Sequence, residues 1–292
     1  MPGSRTTVSL PGVPGKPKKA ASSKIIDTIR LIIFGDVVAR IGRAAVAEVL
    51  PAWKKTYEPH AVIANVENLT HGRGITEKSL RELSAAGISV FTGGNHVWSK
   101  EDPANPELVS AFPLALPAND PRTIDAQRVQ TLTIGGQKLF VLNLLGQVFM
   151  HEEGTENPFH TFDKLYETLQ RPKLLLVDLH AEATSEKVAF GFHVEGRASL
   201  VYGTHTHVPT ADARVLPLGT GYVSDIGMTG SDDSVLGVSK EVIMSRFLGT
   251  AKVPFEYPET GAAQVNALYC ELDMKTGKVT TLKQLHKKLT IK

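Results

Sequence analysis

Six short apolar runs recur along the chain: "IRLIIF" (29–34), "HAVIANV" (60–66), "GISVFT" (87–92), "KLFVLNLL" (138–145), "KLLLVDL" (173–179) and "ASLVYGT" (198–204). They are rich in Val, Ile and Leu and nearly continuous, a pattern that predicts strands covered on both faces. Helical patterns lie between several of them. "GRAAVAEVLPAWKKTY" (42–57) sets Val46, Val49, Leu50 and Trp53 on one side, a core stripe, and Pro51 is expected to kink or restart it. "TEKSLRELSAAG" (76–87) opens at Thr76 as N-cap and closes at Gly87, and "HTFDKLYETLQ" (160–170) is a third helix. Strands alternating with helices predict an α/β architecture. The last third changes character. "VNALYCELDMKTGKVTTLKQL" (265–285) alternates, turns at Thr276-Gly277 and alternates again, which predicts a hairpin and, with it, a second, partly antiparallel sheet.

Residues 1–24 have no such rhythm. They hold four prolines, five Lys or Arg and no acid, too little apolar surface to offset ordering, so the reading is a disordered basic extension followed by one catalytic domain over 25–292. The extension has no apolar core of a secretory signal, and its prolines oppose an amphipathic transit helix.

Bulk properties narrow the function only slightly. The 292 residues are 42% hydrophobic and 21% charged, with a net charge of +2. That balance argues against a nucleic-acid or membrane surface, and no apolar run approaches the ~20 residues of a membrane span. Cys270 is the single cysteine, which excludes an intrachain disulfide and a Cys-based metal site and fits a cytoplasmic setting.

The residues with chemistry to offer stand at the ends of the apolar runs. Asp36 comes after "LIIFG", Glu67 and Asn68 after "AVIANV", and Asn95 and His96 after "VFTGG"; His180 ends "LLLVDLH", and His205 and His207 come after "VYGT". Each has a plain alternative: Asp36 as a helix cap, Glu67–Asn68 as a solvated turn, Asn95–His96 as a loop start, His180 as a satisfied half-buried histidine, His205 and His207 as surface imidazoles. Taken together they predict one rim, because ligands of α/β sheets bind at the carboxyl ends of the strands. In extended backbone His205 and His207 would point the same way, toward one metal site. The set is carboxylates, amides and imidazoles with no thiolate, which suits Mn, Fe or Zn. It is too large for one tetrahedral ion, and two ions ~3.5–4 Å apart clamp the oxygens of a phosphoryl displacement.

The ordered segments "GDVV", "ENLTHGRG", "GGNHVW", "DLHAEATSEK", "GTHTHVPTAD" and "DIGMTG" resemble the calcineurin-like metallophosphoesterases, and within them the YmdB-like branch of cyclic-nucleotide phosphodiesterases. The resemblance covers about residues 28–290. It implies a four-layered α/β/β/α sandwich with two facing mixed sheets flanked by helices. It implies two ions, Fe or Mn favoured and Zn admitted. Asp36 would bind the first, Glu67 would bridge both, and Asn68 and His207 would complete the first site. Asn95, His180 and His205 would hold the second, and His96 would be the proton donor. The nucleophile would be a water bridging the ions. Val37-Val38 where the wider superfamily has Asp-x-His, and Glu67 where it has Asp, are features of this branch. Leu116, Gln147 and Ser99 depart from the branch at places where a basic residue, a basic residue and Asp are common.

The substrate implied is a small cyclic nucleotide, 2′,3′-cyclic monophosphates favoured, with no membrane partner and no nucleic acid except as the source of that substrate; a homo-oligomer is left open. Weaker substrate contacts are His71, Arg73, Ser185, Lys187 and Thr229, with Gly72 and Gly74 letting backbone approach the substrate. Trp98 could stack on a nucleobase, but core packing is the favoured reading. The rival functions are a phosphomonoesterase or phosphoprotein phosphatase using the same ions, and a metal-dependent regulatory or RNA-associated binding protein.

Overall fold

The computed structural model describes residues 26–150, 152–250 and 253–292, so the basic extension expected over 1–24 lies outside the described residues. All six apolar runs are strands. The first half of the chain is β1 (Thr28–Asp36), α1 (Ala39–Tyr57), β2 (Ala61–Asn65), α2 (Glu77–Ala86), β3 (Val90–Thr92), α3 (Pro106–Ala111), β4 (Leu114–Ala115), α4 (Asp125–Arg128), β5 (Val129–Ile134) and β6 (Gln137–Leu145). The second half is α5 (Pro158–Thr168), β7 (Leu175–His180), α6 (Thr184–His193), β8 (Leu200–Thr204), β9 (Arg214–Val215), β10 (Gly221–Val223), β11 (Gly230–Ser231), α7 (Lys240–Phe247), β12 (Gly261–Asp273) and β13 (Val279–Ile291).

The strands form two sheets. One has the order β11-β12-β1-β2-β3-β4, with β13 paired to β12, and the other β5-β6-β7-β8-β10-β9. Side chains alternate across each strand, and the two faces do different work. Ile29, Leu31 and Ile33 of β1 meet Val141, Leu176, Leu200 and Tyr202 of the opposite sheet in a central core. The intervening Ile32 and Phe34 pack outward with Val46, Leu50 and Leu80 of α1 and α2. On the far side Leu142, Val177 and Leu179 pack with Phe162 and Phe190 of α5 and α6. Three apolar layers between four layers of secondary structure make the α/β/β/α sandwich.

Two expectations are corrected. Pro51 does not restart α1, which runs unbroken through it. The C-terminal hairpin does not found a second sheet. β12 pairs antiparallel to β1, from Thr28 against Asp273 to Phe34 against Ala267, and so extends the first sheet, while the second is built from residues 129–223. The alternation of β12 explains this: Leu268, Cys270 and Leu272 enter the central core and Ala267 and Tyr269 the outer one, a strand that needs cover on both faces. The second helix keeps its predicted ends: Thr76 accepts from Ser79 N, and Gly87 closes it at φ 106°.

Candidate functional site

β1, β2 and β3 run parallel to one another, as do β7 and β8, so each group releases its chain at one rim. Stacking the sheets brings the rims together. Asp36 is the last residue of β1 and His180 the last of β7. Glu67, Asn68, Asn95, His96, His205 and His207 sit in the loops just beyond β2, β3 and β8. Asp36 is not a helix cap, since Val38 occupies that position in α1.

The side chains touch. His180 Nε2 lies 3.1 Å from Glu67 Oε2, 3.1 Å from His205 Nδ1 and 3.3 Å from Asn95 Oδ1. One ligand atom each from Glu67, His180 and His205 fall within 4.8 Å of one another, a group able to hold a metal ion. On the other side of Glu67, Asn68 Nδ2 donates to Oε1 at 2.8 Å and lies 3.1 Å from His207 Nε2, which is 4.0 Å from Asp36 Oδ1. The two oxygens of one buried carboxylate thus face two ligand groups. Gly94 makes this approach feasible: a Cβ there would lie 2.1 Å from Glu67 Oε2 and 2.5 Å from His180 Nε2.

The backbone route to His205 and His207 differs from expectation. Neither is extended; their φ angles are 96° and 66°. Left-handed backbone aims His205 at His180 and His207 at Asn68, so the two imidazoles serve opposite sides of Glu67 rather than one common point.

The electrostatics are those of a site organised for cations. Asp36 is fully buried and its Oδ1 has no hydrogen-bond partner, an arrangement that is costly unless a positive charge is supplied. Burial pushes its carboxyl up, against the pull of His207 and His180. Burial also works to raise Glu67, but the charge of His180 and its hydrogen bond outweigh it and hold the carboxyl far below the usual range. Burial alone would lower His180, yet Glu67, Asp36 and Asp178 raise it to about 9. His205 falls to about 3 through burial and the nearby His180. Oxygen and nitrogen donors, an orphaned buried carboxylate oxygen and a glycine cradle fit hard or borderline metal ions.

His96 lines the cavity beside this group, its Nδ1 buried without a partner, its backbone N donating to Glu67 Oε2 at 3.0 Å. Burial lowers its pKa, with Glu67 opposing.

Several contributors carried no local sequence signal as site residues. Glu152 accepts from Asn95 Nδ2 at 3.2 Å, and Glu182 lies 3.0 Å from His205 Nε2. Thr204 Oγ1 links His180 Nδ1, at 2.9 Å, to Asp178 Oδ1, at 2.7 Å. Asp178 had a signal, an acid inside an apolar run; burial pushes it up to about 6 against His180 and the hydroxyls of Thr92 and Thr204. Carboxylates behind ligating imidazoles fix ring orientation and basicity.

The weaker substrate contacts sort out differently. Arg73 lines the cavity, its Nε donating to Ser99 Oγ at 3.0 Å, which gives Ser99 a positioning contact. His71 lines a separate cavity with Arg40 and Arg43. Ser185 is exposed near the start of α6 and does not line the site cavity. Thr229 is fully buried and bonded to the Asn266 backbone, and Lys187 is buried against Asp225; neither lines the site cavity. Gly72 lines the site cavity with the Tyr257 ring close against it, and Gly74 approaches Lys100. Leu116 is buried core, Gln147 Nε2 donates to Thr155 O, and Trp98 packs against the core under Arg122.

Residues 32–285 match the YmdB-like protein family. A Bacillus subtilis (strain 168) protein named 2′,3′-cyclic-nucleotide 2′-phosphodiesterase is 39% identical over 259 residues, 88% of this chain and 96% of the relative. The crystal structure of a novel phosphatase from Mycoplasma pneumoniae superposes with a TM-score of 0.83 at 32% identity, over 90% of this chain and 94% of its own. That of a hypothetical protein from Thermus thermophilus gives 0.80 at 36% identity, over 89% and 99%. Among the described residues no helix is long and apolar enough to cross a membrane.

Proposed function

The chain belongs to the YmdB-like protein family, and from that premise we propose that it is a metal-dependent phosphodiesterase that opens 2′,3′-cyclic nucleotides. Water adds to phosphorus, the bond from phosphorus to one ribose oxygen breaks, and a nucleoside monophosphate leaves. What supports this reading is the shared Glu67: its two oxygens face separate oxygen and nitrogen donor groups, and His96 lines the same cavity.

In this reading Asp36, Asn68 and His207 would hold one ion, Asn95, His180 and His205 would hold a second, and Glu67 would serve both; Fe or Mn suits the donors, with Zn admitted. When bound, the ions supply Lewis acidity that activates water and neutralises phosphoryl charge. The chain does the rest. Asp36, Glu67 and the imidazoles are pre-positioned by buried strand ends, so little reorganisation accompanies binding. Thr204 and Asp178 keep the His180 ring in one orientation. His96 gives its proton to the departing ribose oxygen, which needs one because an alkoxide is a poor leaving group. Arg73 meets the phosphate or the base.

The Mycoplasma pneumoniae neighbour is titled a phosphatase, so a phosphomonoesterase using the same residues is the second reading. Purified protein, stripped of metal and reloaded with Mn or Fe, is assayed on 2′,3′-cyclic AMP and on p-nitrophenyl phosphate. Metal-dependent opening of the cyclic diester at the higher kcat/KM supports the proposal. Preference for the monoester, or no metal dependence, overturns it.

A further inference from the structure

The cavity over the ligand group has a second wall that phosphate chemistry leaves unused. Its floor is ionic, while Leu236, Phe255 and Tyr257 line it as well. Leu236 is 49% exposed and Phe255 51% exposed, an uncovered apolar surface directly beside buried carboxylates and imidazoles.

This wall is held in register with the floor. Leu236 O lies 3.0 Å from His207 Nδ1, so the wall and a candidate metal ligand share a contact. The Phe255 ring has the Arg246 guanidinium 4.3 Å from its centroid, and Arg246 Nε in turn donates to Val253 O at 3.1 Å. The Tyr257 ring lies against Gly72, where a Cβ would come within 2.0 Å of ring atoms. Gly72, at φ 72°, thus serves to seat an aromatic ring at the cavity. Two aromatic rings held by these contacts, next to an ionic floor, make a site with one polar and one flat apolar end.

We propose that Leu236, Phe255 and Tyr257 form the subsite for the nucleobase of the substrate, a flat heteroaromatic ring stacking on this wall while the phosphate meets the floor. The proposal rests on the phosphodiesterase reading above and extends it. Stacking uses the π-face that every base has, so the wall accepts all four bases and ranks purines over pyrimidines by stacking area.

The test compares 2′,3′-cyclic AMP with ethylene phosphate, a five-membered cyclic diester that carries no nucleoside, on metal-loaded wild type and Phe255→Ala. Wild type should prefer the nucleotide. Phe255→Ala should raise KM for the nucleotide by about 5- to 150-fold, the usual worth of one base–aromatic stack, and leave ethylene phosphate unchanged. Calorimetry of adenosine 3′-monophosphate against ribose 3-phosphate, on metal-free protein, should show the nucleotide binding more tightly to wild type and that advantage shrinking in Phe255→Ala. A wild type that turns over both diesters equally overturns the subsite and leaves the function standing. An equal loss on both diesters in Phe255→Ala also overturns it. A wild type inactive on both brings down the function and the subsite together.

Discussion

Lys187 Nζ donates to Asp225 Oδ2 across 2.8 Å, with both side chains buried beneath the His205-Thr206-His207 turn. The same Asp225 oxygen accepts from Thr206 N at 3.1 Å and Thr206 Oγ1 at 2.9 Å, and Lys187 also donates to Thr204 O at 2.9 Å. The turn needs such an anchor. His205 and His207 both hold left-handed backbone, which costs about 1–3 kcal/mol per residue unless the surroundings enforce it.

Asp225→Asn should therefore loosen the turn and strand a buried ammonium. Breaking a buried pair costs about 3–5 kcal/mol, a fall in Tm of roughly 6–10 °C for a chain of this size. Metal affinity should fall with it, because the two imidazoles lose their aim. Thermal melts and metal titration check this. A variant that melts and binds metal like wild type would show that the pair does not hold the turn.

His96→Ala should lower kcat on 2′,3′-cyclic AMP by about 10²–10⁴-fold, the usual span for loss of a general acid. Metal content should stay at the wild-type level, since Nδ1 of His96 has no hydrogen-bond partner in the ligand group. A nitrophenolate leaves without a proton, so the loss on bis-p-nitrophenyl phosphate should be much smaller. Equal losses on both substrates would instead assign His96 to holding the phosphate.

The strands and the candidate site residues at their ends were legible because both signals are local. A run such as "KLLLVDLH" announces a strand buried on two faces, and the imidazole at its end announces the rim. What was not legible depends on distant partners. The pairing of β12 with β1 joins residues more than two hundred positions apart, and nothing within "VNALYCELD" names its neighbour. His205 and His207 were expected to share a direction because extended backbone alternates; Asp225 instead enforces left-handed backbone. Thr229 and Lys187 sit in segments quoted for the family resemblance, yet they support the site from behind, at Asn266 and Asp225. Phe255 and Tyr257 lie in "VPFEYPE", a stretch with no periodicity and no acid–imidazole pattern, so only the folded cavity shows their place.

Removing the ions should reveal His180 as a pH-dependent group. Without a cation its pKa is raised to about 9: burial opposes the protonated ring, but Glu67, Asp36 and Asp178 together favour it. A histidine raised in the folded state above its unfolded value of about 6.5 stabilises the fold fully below that value. The stabilisation is then lost as pH climbs through about 9. The stripped protein should lose stability across roughly pH 6.5–9, since Glu67 and Asp36 are left facing a neutral ring. The loaded protein should show no such loss, because an imidazole that ligates a metal is already deprotonated. The Tm gap between loaded and stripped forms should therefore widen steadily as pH rises over that window. Calorimetric titration with Mn²⁺ at pH 7, repeated in buffers of differing ionisation enthalpy, should register about one proton released on filling the site that contains His180. A gap that stays constant, with no proton released, would mean that His180 is neutral in the metal-free protein and that Glu67 and Asp36 are stabilised by something else.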